Sequence, residues 1–549
     1  MVARQFTVEM MHNIFHTAQH PQDPAQQKRS CRKLGAVAIT AVLTLSTLAG
    51  CSLVSSDEDP QNTENQISVG GPKAIQADMP AIPAGLEQFY EQKVTWEDCN
   101  PKSQCAKIEV PLNYEQSSAQ TIEIAVKKRP ADEKAIGTLL VNPGGPGGSG
   151  QEMIDAANYY FPDLVRENFD ILGFDPRGVG ESTPIDCLDD AELARVLEAS
   201  YPDNAEGDAQ TEADVQKIAD GCKEKSGELL PFVGTENAAR DMDVIRHLVG
   251  DPQLYYLGYS YGTSLGGMYA ELFPKNVGRM VLDGAVSTKA SNFEQTLAQM
   301  KGFEQSLDAY LADCLSADDG SCPFTGSVAD AREQISYILK QTLTQPVPSE
   351  NGRVLTQSAL LYGIVTALYD DATWPVLSNS FNMLIKQKNP QFFLMLFDSY
   401  IGRDGDTFSN NSMEANWAIN CADYGVDGDA AKWAELSAQL AQESPIFGAL
   451  MEYDDSLCAA WAYHPEAKLQ PFKAAGSAPI VVIGTTGDPA TPYAWAKEFA
   501  QSLDHGLLLT WEGEGHTAYG HSTACVDDAV NAYLLNGTLP EEDLVCPAK

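Results

Sequence analysis

Three side chains in this sequence are of types, and in an order, that can perform nucleophilic acyl chemistry: Ser260, Asp488 and His516. Ser260 sits in "LYYLGYSYGTSLGG" (254–267), between Gly258 and Gly262, after an apolar run and before a run of small residues. That pattern suits a strand, a sharp turn and a helix, with the hydroxyl presented at the apex. The glycines belong where strand and helix pass too closely for side chains. Composition alone would produce a G-x-S-x-G match in roughly one chain of this length in four or five. The serine therefore needs its partners: a base within hydrogen-bond reach, an acid to orient the base, and donors for the oxyanion.

Downstream of residue 51 the histidines are His247, His464, His505, His516 and His521. His516 follows the apolar stretch "LLLTW" through the loop "EGEGH", the place for a base at the end of a strand. His521 is the rival, five residues on and closer to the next helix. Asp488, in "VVIGTTGDPATP", comes one short loop after a very apolar run and is the expected acid. Asp283, after "VGRMVLD", is the alternative acid, with a structural role as its other reading. For the oxyanion the expected donors are the backbone N–H groups of Tyr261 and of Gly145 in "NPGGPGG". That loop lacks the Lys-Ser/Thr of a phosphate cradle. A metal set from His516, His521 and Cys525 lacks a further ligand, so neither metal nor organic cofactor is expected.

These residues need a scaffold. Apolar stretches "GTLLVN", "FDILGFD", "LYYLGY", "VGRMVLD" and "APIVVIG" alternate with helical patterns such as "TENAARDMDVIRHLVG" (235–250), stopped by Gly250. The alternation predicts a mostly parallel α/β sheet. From 287 to 416 the pattern turns mainly helical, which predicts a cap inserted between core strands. The expected organisation is 1–50 export signal, 51–80 flexible tether, 81–286 first part of the core, 287–416 cap and 417–549 second part of the core.

The N-terminus carries Lys28, Arg29, Arg32 and Lys33, then the apolar "GAVAITAVLTLSTLAG". That stretch is shorter than the about 20 apolar residues of a membrane span and suits a signal peptide. It ends in "LAGC", which resembles a bacterial lipobox and implies lipidation at Cys51. An exported chain with ten further cysteines implies disulfides among Cys99, Cys105, Cys187, Cys222, Cys314, Cys322, Cys421, Cys458, Cys525 and Cys546. Ten cysteines allow on the order of 10³ pairings; pairing of sequential neighbours is expected, because short loops close cheaply. The formal charge of −40 excludes binding to nucleic acid through phosphate neutralisation and favours cationic ligands such as free amino ends.

Together "VNPGGPGGSG", "FDPRGVGES", "GYSYGT" and "GTTGDPATP" resemble the secreted tripeptidyl aminopeptidases of actinomycetes, among the proline iminopeptidase-like α/β-hydrolases. The resemblance spans most of residues 90–549. It implies an α/β-hydrolase fold, Ser260, Asp488 and His516 as the triad, and "PGGPG" as the oxyanion loop. Thr517 stands where relatives often have glycine. The expected function is an exported serine peptidase that releases short peptides from free N-termini, with an envelope carboxylesterase as the alternative and a silent binding lipoprotein as a third reading. A closed cleft for a free amino end calls for carboxylates, and Glu414 and Asp423 are the candidates. The enzyme is expected to be monomeric, in the cell envelope through Cys51 or secreted.

Overall fold

The computed structural model describes residues 71–117, 120–464 and 471–549. The expected export signal and the lipidation site Cys51 lie outside the described residues. A ten-stranded sheet forms the core: β1 (Glu97–Asn100), β2 (Ser103–Pro111), β3 (Thr121–Arg129), β4 (Thr138–Asn142), β5 (Asp170–Phe174), β6 (Leu254–Tyr259), β7 (Val277–Asp283), β12 (Ile480–Gly487), β13 (Gly506–Glu514) and β14 (Leu544–Cys546). Two small hairpins, β8 (Val347–Pro348) with β9 (Val354–Leu355) and β10 (Arg403–Asp404) with β11 (Thr407–Phe408), lie apart from it. The order across the sheet is β1-β2-β3-β5-β4-β6-β7-β12-β13-β14. The pairs from β1 to β5 along that order are antiparallel, and every pair from β5 to β14 is parallel.

The apolar runs become central strands because both faces of the sheet are covered. On one face Leu140, Tyr256, Met280 and Val482 pack against Ala238, Met242 and Ile245 of the helix Thr235–Val249 and Leu265 and Tyr269 of the helix Tyr261–Leu272. On the other face Leu139, Leu257, Val281 and Ile483 meet Val526, Val530 and Leu534 of the helix Ala524–Asn536. Gly250 ends the helix Thr235–Val249 at φ +88°, as its position after the last apolar residue predicts.

One expected boundary is corrected. The tether is not free up to residue 80: Lys73 N–H donates to Leu535 O (2.8 Å), and Ile75 N–H donates to the Tyr255 hydroxyl (2.7 Å). The Arg279 guanidinium also holds Lys73 O at 2.8 Å. The chain is therefore docked on the core from residue 73. Helices continue from Asn292 through Ser412–Asp423 and Ala430–Glu443 to Ser456–Ala460, and the sheet resumes only at Ile480. Disulfides join Cys99–Cys105, Cys187–Cys222, Cys314–Cys322, Cys421–Cys458 and Cys525–Cys546, each between sequential neighbours. No helix among the described residues is long and apolar enough to cross a membrane.

Candidate active site

β6 runs directly into Ser260, whose backbone stands at φ 55°, ψ −124°, and the next residue, Tyr261, begins a helix. A β-carbon on Gly258 would lie 2.4 Å from Gly262 O, and one on Gly262 would lie 2.9 Å from Asn142 O and Oδ1. The two glycines around Ser260 are therefore required by crowding between the turning strand, the helix and the end of β4. A positive φ on a non-glycine residue costs of order 1–3 kcal/mol and must be held by its surroundings. Here Ser260 N–H donates to Asp283 O (2.9 Å), and Ser260 O accepts from Thr263 N–H (2.8 Å) and Oγ1 (2.7 Å).

The parallel neighbours β12 and β13 bring acid and base together. Asp488 follows β12, His516 follows β13, and His516 Nδ1 lies 2.9 Å from each Asp488 carboxylate oxygen. Both residues are buried. The remaining capacity of the carboxylate is taken by N–H groups of Ala490 (2.9 Å), Thr491 (2.8 Å) and Thr517 (3.3 Å) and by the Thr491 hydroxyl (2.8 Å). With the proton on Nδ1 facing Asp488, Nε2 is left as the proton acceptor, the tautomer a general base requires.

The imidazole lies over the end of β7: a β-carbon on Gly284 would stand 3.1 Å from His516 Cε1. Nucleophile and base are thus anchored on neighbouring residues, Ser260 on Asp283 and His516 over Gly284. Asp283 does not face Nδ1 of His516. Its carboxylate accepts from Ala518 N–H (3.0 and 3.1 Å) and Tyr519 N–H (2.8 Å) and so holds the loop behind the base. Burial raises this carboxyl to about 7, with those two N–H groups and His516 opposing. His521 is turned into the same loop, its Nε2 3.0 Å from Thr517 O and its Nδ1 3.2 Å from Tyr519 O.

The glycine-rich loop after β4 closes over Ser260. Gly144 adopts φ +98°, its N–H held by Asn142 Oδ1 (3.0 Å), and a β-carbon there would lie 2.8 Å from Ser260 Cβ and 3.1 Å from Tyr261 N. Neither Tyr261 N–H nor Gly145 N–H has an acceptor among the described residues. Tyr261 N–H, unpaired at the helix start directly after the serine, can receive a developing oxyanion, and the loop of Gly144 and Gly145 lies against it.

Glu414 and Asp423 are placed differently from the expected role of holding a substrate ammonium. Glu414 Oε1 accepts from the N–H groups of Cys187 (3.0 Å) and Leu188 (2.9 Å). Asp423 accepts from Thr235 N–H (2.8 Å) and Thr235 Oγ1 (2.5 Å), and that hydroxyl also meets the Tyr261 phenol at 2.5 Å. Burial pushes Asp423 up to about 7, the Thr235 donors opposing. Both acids are buried and committed to joining the helix Ser412–Asp423 to the core.

Sequence reasoning overlooks two neighbours of the base. Thr491, three residues after Asp488, braces the acid and lies 3.2 Å from His516 Nδ1; an Asp-x-x-Thr turn is its sequence signal. Tyr369 of the cap accepts His516 N–H on its carbonyl (2.8 Å) and sets its ring edge-on to the imidazole, 5.5 Å between centroids. Nothing in the local sequence marks it.

Fold and site together define an α/β-hydrolase. The family described as "alpha/beta hydrolase fold" matches residues 137–322, and that described as "TAP-like protein" matches residues 444–546. Serine protease Hip1 of Mycobacterium tuberculosis is 36% identical over 477 residues, 83% of this chain and 91% of that protein. Carboxylesterase B of the same species is 36% identical over 452 residues, 81% and 86% of the two chains. Tripeptidyl aminopeptidase of Streptomyces coelicolor is 29% identical over 469 residues, 82% and 86%. This chain belongs to the tripeptidyl aminopeptidase-like family of α/β-hydrolases.

Proposed function

We propose that the protein is an exported serine peptidase that removes short peptides from free N-termini through an acyl-enzyme on Ser260. The observation that carries this is the Asp488–His516 pair at 2.9 Å beside a strained serine, together with relatives named as serine protease and tripeptidyl aminopeptidase. In the reaction His516 Nε2 takes the Ser260 proton as Oγ attacks the scissile carbonyl. The tetrahedral anion is held by the N–H groups of Tyr261 and Gly145. The imidazolium then protonates the leaving amine as the C–N bond breaks. Water, deprotonated by the same imidazole, releases the acyl group and restores Ser260. The enzyme works as a monomer, at the envelope through a lipid on Cys51 or free after secretion.

The carboxylesterase reading uses the same groups and is favoured by the relative of that name. The two separate on three chromogenic substrates: a free tripeptide anilide, its N-acetylated twin and a short-chain nitrophenyl ester. Cleavage of the free peptide alone, lost in Ser260→Ala, supports the aminopeptidase. Cleavage of the ester with both peptides inert overturns it in favour of the esterase.

A further inference from the structure

With Glu414 and Asp423 committed to backbone donors, another part of the cap must receive the substrate. One cap tyrosine, Tyr369, meets the base, and two others, Tyr362 and Tyr400, lie near it in the cap. Tyr362 lies on the helix Gln357–Leu368, Tyr369 caps the end of that helix seven residues later, and Tyr400 lies on the adjoining helix Gln391–Ile401. Seven residues is about two helical turns, so Tyr362 and Tyr369 share a face. The rings of Tyr362 and Tyr400 are 5.0 Å apart between centroids, tilted by 37°, and Phe397 stands 6.4 Å from Tyr362. Tyr369 links the group to the site, 5.5 Å from the His516 ring and 5.6 Å from Phe303.

All three tyrosines keep partial solvent access while set deep enough that burial drives their phenols upward. None of the three hydroxyls has a hydrogen-bond partner among the described residues, and none is sealed from solvent. Three solvent-accessible hydroxyls without a protein partner can donate to a ligand that displaces their water.

We propose that Tyr362, Tyr369 and Tyr400 form the pocket for the N-terminal, acyl-side portion of the peptide. Within the peptidase reading above, their rings cover apolar side chains and their hydroxyls donate to backbone carbonyls. The pocket lies where two cap helices pack together, so it accepts a portion of limited length, whereas the leaving chain needs an open side. The preferred substrates carry uncharged, apolar residues before the scissile bond, and the depth of this pocket limits how much is removed.

The test uses Tyr362→Phe and Tyr400→Phe, which remove a hydroxyl and keep the ring, and Tyr362→Ala, which removes the ring. Each is assayed on a free apolar tripeptide anilide and on p-nitrophenyl acetate, whose acyl group is too short to reach the pocket. The Phe variants are expected to lose about tenfold in kcat/KM on the tripeptide, mainly through KM, with acetate hydrolysis unchanged. Tripeptide kinetics equal to wild type, or equal losses on both substrates, would overturn the proposal. If wild type cleaves esters but no peptide, the peptidase reading falls and the pocket is tested with nitrophenyl esters of increasing acyl length. Losses that grow with length support it, and losses independent of length refute it. A wild type inert on every substrate refutes both.

Discussion

Replacing Asp283 by asparagine should change how stability depends on pH. The Asp283 side chain is fully buried, and its carboxyl is raised from 3.8 to about 7. Between those values the folded protein keeps a proton that the unfolded chain has released. The unfolded state therefore binds fewer protons, and stability falls as pH rises through this window. Three pKa units at about 1.4 kcal/mol each give a loss of about 4 kcal/mol between pH 4 and pH 8. The amide in D283N cannot titrate, so the variant escapes that loss while keeping one acceptor for the N–H groups of Ala518 and Tyr519. Urea unfolding of both proteins with disulfides intact, at pH 4, 6 and 8, reads the difference directly. Wild type should weaken relative to D283N by about 4 kcal/mol across the series. A difference constant with pH, or one moving in favour of wild type, would refute the reasoning by showing that the two N–H donors outweigh burial.

Other perturbations reach the rest of the site and its support. Asp488→Asn should leave the fold intact and lower kcat by about 10⁴, because the amide no longer selects the Nδ1–H tautomer; steady-state kinetics checks it. Gly144→Ala places a methyl where φ is +98° and Ser260 Cβ is 2.8 Å away. It should lower kcat/KM by more than about 100-fold with an unchanged far-ultraviolet spectrum. Arg177 holds Asp241 through Nη2 (2.6 Å) and Nε (2.8 Å) in a fully buried pair. Arg177→Met strands that carboxylate and should cost about 3–5 kcal/mol in urea unfolding, most of it restored by adding Asp241→Leu.

The parts of the fold written in local sequence are those whose burial pattern is local. β4, β6, β7 and β12 are legible because a strand covered on both faces is a continuous apolar run. Asp488 and His516 are legible because each follows an apolar stretch through a short loop. The helix Ala205–Ser226 is not visible in the same way. Of its 22 residues only Gly207, Ile218, Ala219, Cys222 and Ser226 are buried, so its apolar stripe is thin. What Glu414 and Asp423 do depends on which backbone N–H groups stand opposite, namely those of Cys187, Leu188 and Thr235, more than 180 residues away in sequence. Tyr369 reaches His516 from a similarly distant part of the chain. Such contacts are set by how the cap sits on the sheet, which no local pattern encodes.

The most direct test of the central claim is covalent labelling with a fluorophosphonate, read by intact mass and peptide mapping. One adduct per chain on Ser260, absent from Ser260→Ala and strongly slowed in His516→Ala, is the predicted result. No adduct on Ser260 in folded wild type, or labelling that persists in Ser260→Ala, would contradict it.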